Sequence, residues 1–62
     1  MSTIELAVDI IAKTEKAVLV NSGIKESWIP LSQIDDYTDE LTVGKSITIF
    51  ISEWLAETKE LI

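Results

Sequence analysis

The sequence predicts a mainly β domain: four strands in a highly curved sheet or open barrel, followed by a short C-terminal helix. Three observations carry this expectation. Residues 4–11 and 46–51 alternate apolar and polar with period two, Asn21-Ser22-Gly23 is a hairpin turn signal, and residues 53–61 place good helix formers behind a capping serine. Period two sends successive side chains to opposite faces of a strand, so one face can be buried.

Taken in order, Ile4, Leu6, Val8 and Ile10 alternate with Glu5, Ala7, Asp9 and Ile11. A helix over this segment would put Glu5 and Asp9 together at i, i+4 and would carry many β-branched residues. Lys13-Thr14-Glu15 is a polar break, and Lys16–Asn21 reads as a second, more buried strand. Gly23 accepts the positive φ that a short hairpin loop demands, and residues 24–29 return as a third strand. Pro30 ends that ladder because it has no N–H to donate. Residues 31–34 are a single helical turn with Leu31 and Ile34 eclipsed, and Asp35–Glu40 is a solvated acidic loop. Leu41 and Val43 re-enter the core, Gly44 turns, and residues 46–51 form a strand with Ile47, Ile49 and Ile51 inward. Ser52 caps a helix over about residues 53–61, with Glu53 favourably placed in the helix dipole. Its inner face is Trp54, Leu55, Thr58, Leu61 and Ile62.

With 62 residues, the chain has room for one domain, residues 1–62. Eleven acids against five lysines leave a net charge of −6, with no His, Cys or Arg. The missing cysteines exclude a disulfide scaffold or thiol nucleophile. The missing histidines remove the commonest general base and metal ligand. No serine has a histidine partner, so the chain is read as non-enzymatic and without a cofactor. No apolar run approaches a membrane span. The first residues lack a basic region ahead of an apolar one, so a cytoplasmic location is expected. A domain this small buries a modest core, which makes self-association a secondary expectation.

Two resemblances follow from these residues. Ile24–Ile34, with its Trp28-Ile29-Pro30-Leu31-Ser32-Gln33-Ile34 run, and the later Val43-Gly44-Lys45-Ser46-Ile47-Thr48-Ile49, resemble the S1-like branch of the OB-fold. This resemblance covers residues 24–49 and implies an open S1/OB-like (SH3-like) barrel and single-stranded nucleic-acid binding. Lys16–Val20, the Trp28–Ile34 run and Trp54-Leu55-Ala56 together resemble a group of very small proteins of phages and mobile elements. That second resemblance implies an origin. S1 domains that bind RNA present basic residues and several aromatics; here the balance is acidic, and only Trp28 holds a plausible aromatic position.

The candidate site residues are Trp28, Asp35, Asp36, Tyr37, Asp39 and Glu40. The acidic window lacks the glycine and alternation of a helix-loop-helix calcium site, and no metal is expected there. Its plain reading is a solvated loop, and its functional reading is a contact surface for a basic partner. Trp28 is either packed against the terminal helix near Trp54 or exposed as a platform. Trp54 is assigned to the core, and Tyr37 is exposed as an interface anchor. Glu53 and Glu57 are read as a solvated helix face. The leading functional expectation is an acidic module that binds a basic surface of another protein, since net negative charge repels phosphate and attracts basic partners. Inhibition of a nucleic-acid-binding host factor is one form of this. The alternative is single-stranded nucleic-acid binding through Trp28, and a third reading is self-pairing through a sheet edge.

Overall fold

The alternation from Ile4 to Ile10 produces β1 (Thr3–Lys13), the longest strand of a computed structural model that describes residues 2–62. The other strands are β2 (Ala17–Asn21), β3 (Glu26–Pro30), β4 (Ile34–Tyr37) and β5 (Ser46–Ser52). A 3-10 turn, Leu31–Gln33, links β3 to β4, and α1 (Glu53–Thr58) follows β5. All four pairings are antiparallel, in the order β3-β2-β1-β5-β4.

β1 serves two half-sheets. Its first part, Thr3–Asp9, pairs with Ser52–Ser46 of β5, and its second, Asp9–Lys13, pairs with Asn21–Val18 of β2. Between them the β2 register shifts across Ile10/Ala12. Such a bulge bends a strand and sharpens its twist, letting both halves fold over one core. Leu6, Val8, Ile10, Val18, Val20, Ile29, Ile47, Ile49 and Ile51 point inward, joined by Leu55, Ala56 and Leu61. The edge strands β3 and β4 are separated by three residues of chain but are not hydrogen-bonded to each other. The sheet is therefore open, not a closed barrel. Among the described residues no helix is long and apolar enough to cross a membrane.

Several expectations are corrected. The sheet has five strands, because Ile34, expected in the helical turn, and residues 35–37 of the acidic window pair with β5. An edge strand needs a partner on one side only, and Ile34 opposite Ile51 anchors it where the acidic residues carry no strand signal. The third strand begins at Glu26, and Ile24 stands exposed in the preceding turn. Leu41 packs on the core, but Val43 is 56% exposed. The turns behave as expected: Gly23 and Gly44 both have φ +92°, and Asn21 Oδ1 accepts the Gly23 N–H at 2.7 Å.

The helix is shorter than expected and rotated. Ser52 Oγ accepts the Leu55 N–H at 3.1 Å, as a cap should. That phase sends Leu55 and Ala56 inward and leaves Trp54 59% exposed, so Trp54 is not a core residue. Thr58 and Ile62 are also exposed. The helix ends early because Glu60 turns left-handed at φ 58°.

Candidate acidic interface

Since Leu6, Val8 and Ile10 point inward, Thr3, Glu5, Ala7 and Asp9 point outward from β1. On β5 the outward set is Ser46, Thr48, Phe50 and Ser52. Pairing places Glu5 beside Phe50 and Phe50 beside Asp36, with Asp9 beside Ser46. The bulged Asp35 belongs to the same face, where its Oδ2 accepts from Thr3 Oγ1 at 3.4 Å. Glu5, Asp9, Asp35 and Asp36 thus share the outer side of β1, β5 and β4. Glu5 and Asp36 flank Phe50 two strand spacings apart, about 10 Å. That is roughly one Debye length at 0.1 M salt, so their fields add.

No lysine holds an outward register position on this face. Lys13 ends β1, Lys16 lies in the β1–β2 turn, and Lys59 caps α1. Lys25, in the β2–β3 turn, sits 3.4 Å from Glu60. Lys45, just before β5, sits 2.9 Å from Asp39. Period-two folding has therefore gathered four of the eleven carboxylates on a strand face, while the five lysines and the other acids lie at turns, strand ends and the helix.

The six residues singled out from sequence do not form one surface. Asp35 and Asp36 lie on the acidic face. Tyr37, 49% exposed, pairs with the inward Ile49 and so faces the opposite way. It lines a recess of about 220 Å³ shared with Lys13, Glu40 and Leu41. Asp39 is engaged inside its own loop. Its carboxylate takes the Lys45 ammonium at 2.9 Å and the Glu40 N–H at 2.7 Å, and these hold its pKa below the usual carboxylate value. The same hydrogen bond raises the Lys45 pKa. Trp28 sits on β3 opposite Leu19, on the outer side of the other half-sheet, and is 43% exposed. Its neighbour Ile29 takes the core position, and α1 contributes to that same core. Trp28 and α1 are thus on opposite sides of the sheet, and packing of Trp28 against the helix is ruled out.

Glu5 and Asp9 are not among the residues that the sequence singles out. Their signal was present: both fall in the polar phase of the β1 alternation, and the polar phase of β5 contains no cation to neutralise them. Among the described residues no three acidic side chains converge as a metal cage would require. No protein-family model, curated protein or solved structure matches this chain.

Proposed function

We propose that this protein is a non-enzymatic interaction module that binds a basic surface of another protein through the outer face of β1, β5 and β4. The carrying observation is the segregation of Glu5, Asp9, Asp35 and Asp36 onto one face that holds no lysine. Such a face attracts a basic partner at long range and repels nucleic acid, raising association rate more than final affinity. The half-covered Phe50 between Glu5 and Asp36 gives the contact an apolar centre. A protein whose own basic groove holds nucleic acid is the natural complement, and occupying that groove would inhibit it. The resemblance to small phage and mobile-element proteins is in keeping with that role.

A second reading has one observation in its favour. Trp28 is half exposed beside Leu19 on the other half-sheet, away from the acidic face. Together with the S1-like resemblance, this supports stacking of single-stranded bases there, each worth ~1–3 kcal/mol.

The test is capture of a partner from host lysate by the wild-type protein and by a Glu5→Gln/Asp9→Asn/Asp35→Asn/Asp36→Asn variant. Circular dichroism checks that the variant is folded. Capture should be lost in the variant, and should fail for the wild type at about 0.5 M salt, where screening falls to roughly 4 Å. Capture indifferent to both changes overturns this reading.

A further inference from the structure

We infer that the acidic face contains a socket for one guanidinium group, an arginine side chain of the partner protein, centred on Asp9. This rests on the interaction reading above and names the group that the face recognises. A groove of about 370 Å³ opens where the two half-sheets diverge. Its floor is Ala7 and Asp9 of β1 with Ser46 and Thr48 of β5, and its walls are the Asn21–Gly23 turn and Thr38. The floor is shallow because Ala7 contributes only a methyl group.

The hydrogen-bonding state of the groove selects the ligand. Ser46 Oγ donates its proton to Asp9 Oδ1, which leaves lone pairs on both side chains and no free proton between them. Asp9 Oδ2 has no hydrogen-bond partner, and Asp9 has no ion pair, among the described residues. Two backbone N–H groups at the groove are already used. Gly23 N–H donates to Asn21 Oδ1 at 2.7 Å, and Thr48 N–H donates to Thr38 Oγ1 at 3.1 Å. Of the residues that line the groove Asp9 alone is charged, so the groove favours a ligand that brings donors and positive charge. Guanidinium brings five donors in one plane and is less strongly hydrated than ammonium, which suits an open groove with acceptors spread along its floor. Glu26, paired with Asn21 at the groove wall, adds to the negative field.

The probe is a capped peptide of alternating arginine and glycine, titrated into ¹⁵N-labelled protein and followed by amide chemical shifts. Its lysine and citrulline counterparts are the comparisons, citrulline keeping the shape without the charge. The largest shifts should fall at Asp9, Gly23, Ser46 and Thr48, with arginine ahead of lysine and citrulline inactive. Asp9→Asn should weaken binding about tenfold. Ala7→Leu keeps the charge but fills the groove, and should remove the same shifts while the rest of the spectrum confirms the fold. Shifts confined to Glu5, Phe50 and Asp36, unaffected by either substitution, overturn the socket and leave the acidic-face reading intact. Equal response to citrulline also overturns it. No response anywhere on this face to either basic peptide overturns both.

Discussion

Glu60 shows how one residue sets the end of the chain. Its own N–H reaches Glu57 O at 3.0 Å, and its left-handed backbone then lets Leu61 N–H reach Ala56 O at 2.9 Å. This is a Schellman turn, and it swings Leu61 into the core, where only 1% of it stays exposed. Glycine adopts that conformation without the Cβ penalty that glutamate incurs. Glu60→Gly should therefore raise stability by up to about 1 kcal/mol in urea unfolding. Glu60→Gln, which removes only the exposed contact to Lys25, should change it by less than about 1 kcal/mol. A clear loss on Glu60→Gly would show that the ion pair outweighs the backbone term. Asp39 gives a residue-scale pH signature. Its folded pKa is depressed, first by the Lys45 hydrogen bond and then by the Glu40 N–H. The depressed pKa means that its contribution to stability is present above the ordinary carboxylate value and is lost as pH falls through the lowered one. Lys45→Met should move the Asp39 carboxyl titration upward when followed by ¹³C NMR. An unmoved titration would assign the depression to the backbone N–H alone.

At the scale of elements, register decides which substitutions matter. Ile49 is fully buried on β5, whereas Thr48 beside it faces outward. Ile49→Asp should unfold the domain, because an unpaired charge would enter the core. Thr48→Asp should leave a cooperative thermal transition, with a modest loss from repulsion on the acidic face. Equal damage at the two positions would mean the register is inverted. The helix makes a parallel claim: Leu55→Ala should cost about 2–4 kcal/mol, and Trp54→Ala much less. The edge strand β4 carries its own protection. Thr38 N–H donates to Thr48 O at 3.0 Å, so Tyr37 N–H faces the free edge, where Asp36 Oδ1 takes it at 2.8 Å. Charge and self-capping blunt an edge that another copy could otherwise extend. Changing Asp35 and Asp36 to Val should promote self-association on size exclusion. An unchanged elution volume would show that this edge is protected by something other than its charges.

For the whole molecule, the separation of charge predicts how it meets nucleic acid. A single strand of about ten nucleotides, titrated at low salt, should barely quench tryptophan fluorescence, although low salt is where phosphate contacts contribute most. The net charge of −6 opposes the approach, and no arginine is present to share it. Binding tighter than about 10 μM (roughly 7 kcal/mol), lost on Trp28→Ala, would make single-stranded binding the better reading.

Local chemistry alone determined much of this protein. The period-two runs placed β1 and β5 and chose their inward residues, because alternation is a property of the extended backbone itself. Gly23 and Gly44 marked the turns, since few other residues tolerate positive φ, and Ser52 marked the start of α1. Three things were decided only by tertiary structure. β4 exists because β5 offers it a pairing edge, a stabilisation invisible in Asp35-Asp36-Tyr37 itself. Trp54 lies outside because the capped phase of a short helix, together with the turn at Glu60, gave the core positions to Leu55, Ala56 and Leu61. The acidic face exists because β1–β5 pairing, across about forty residues of chain, sets Glu5 and Asp9 beside a strand with no cation. Composition could count those charges, but only the register could gather them.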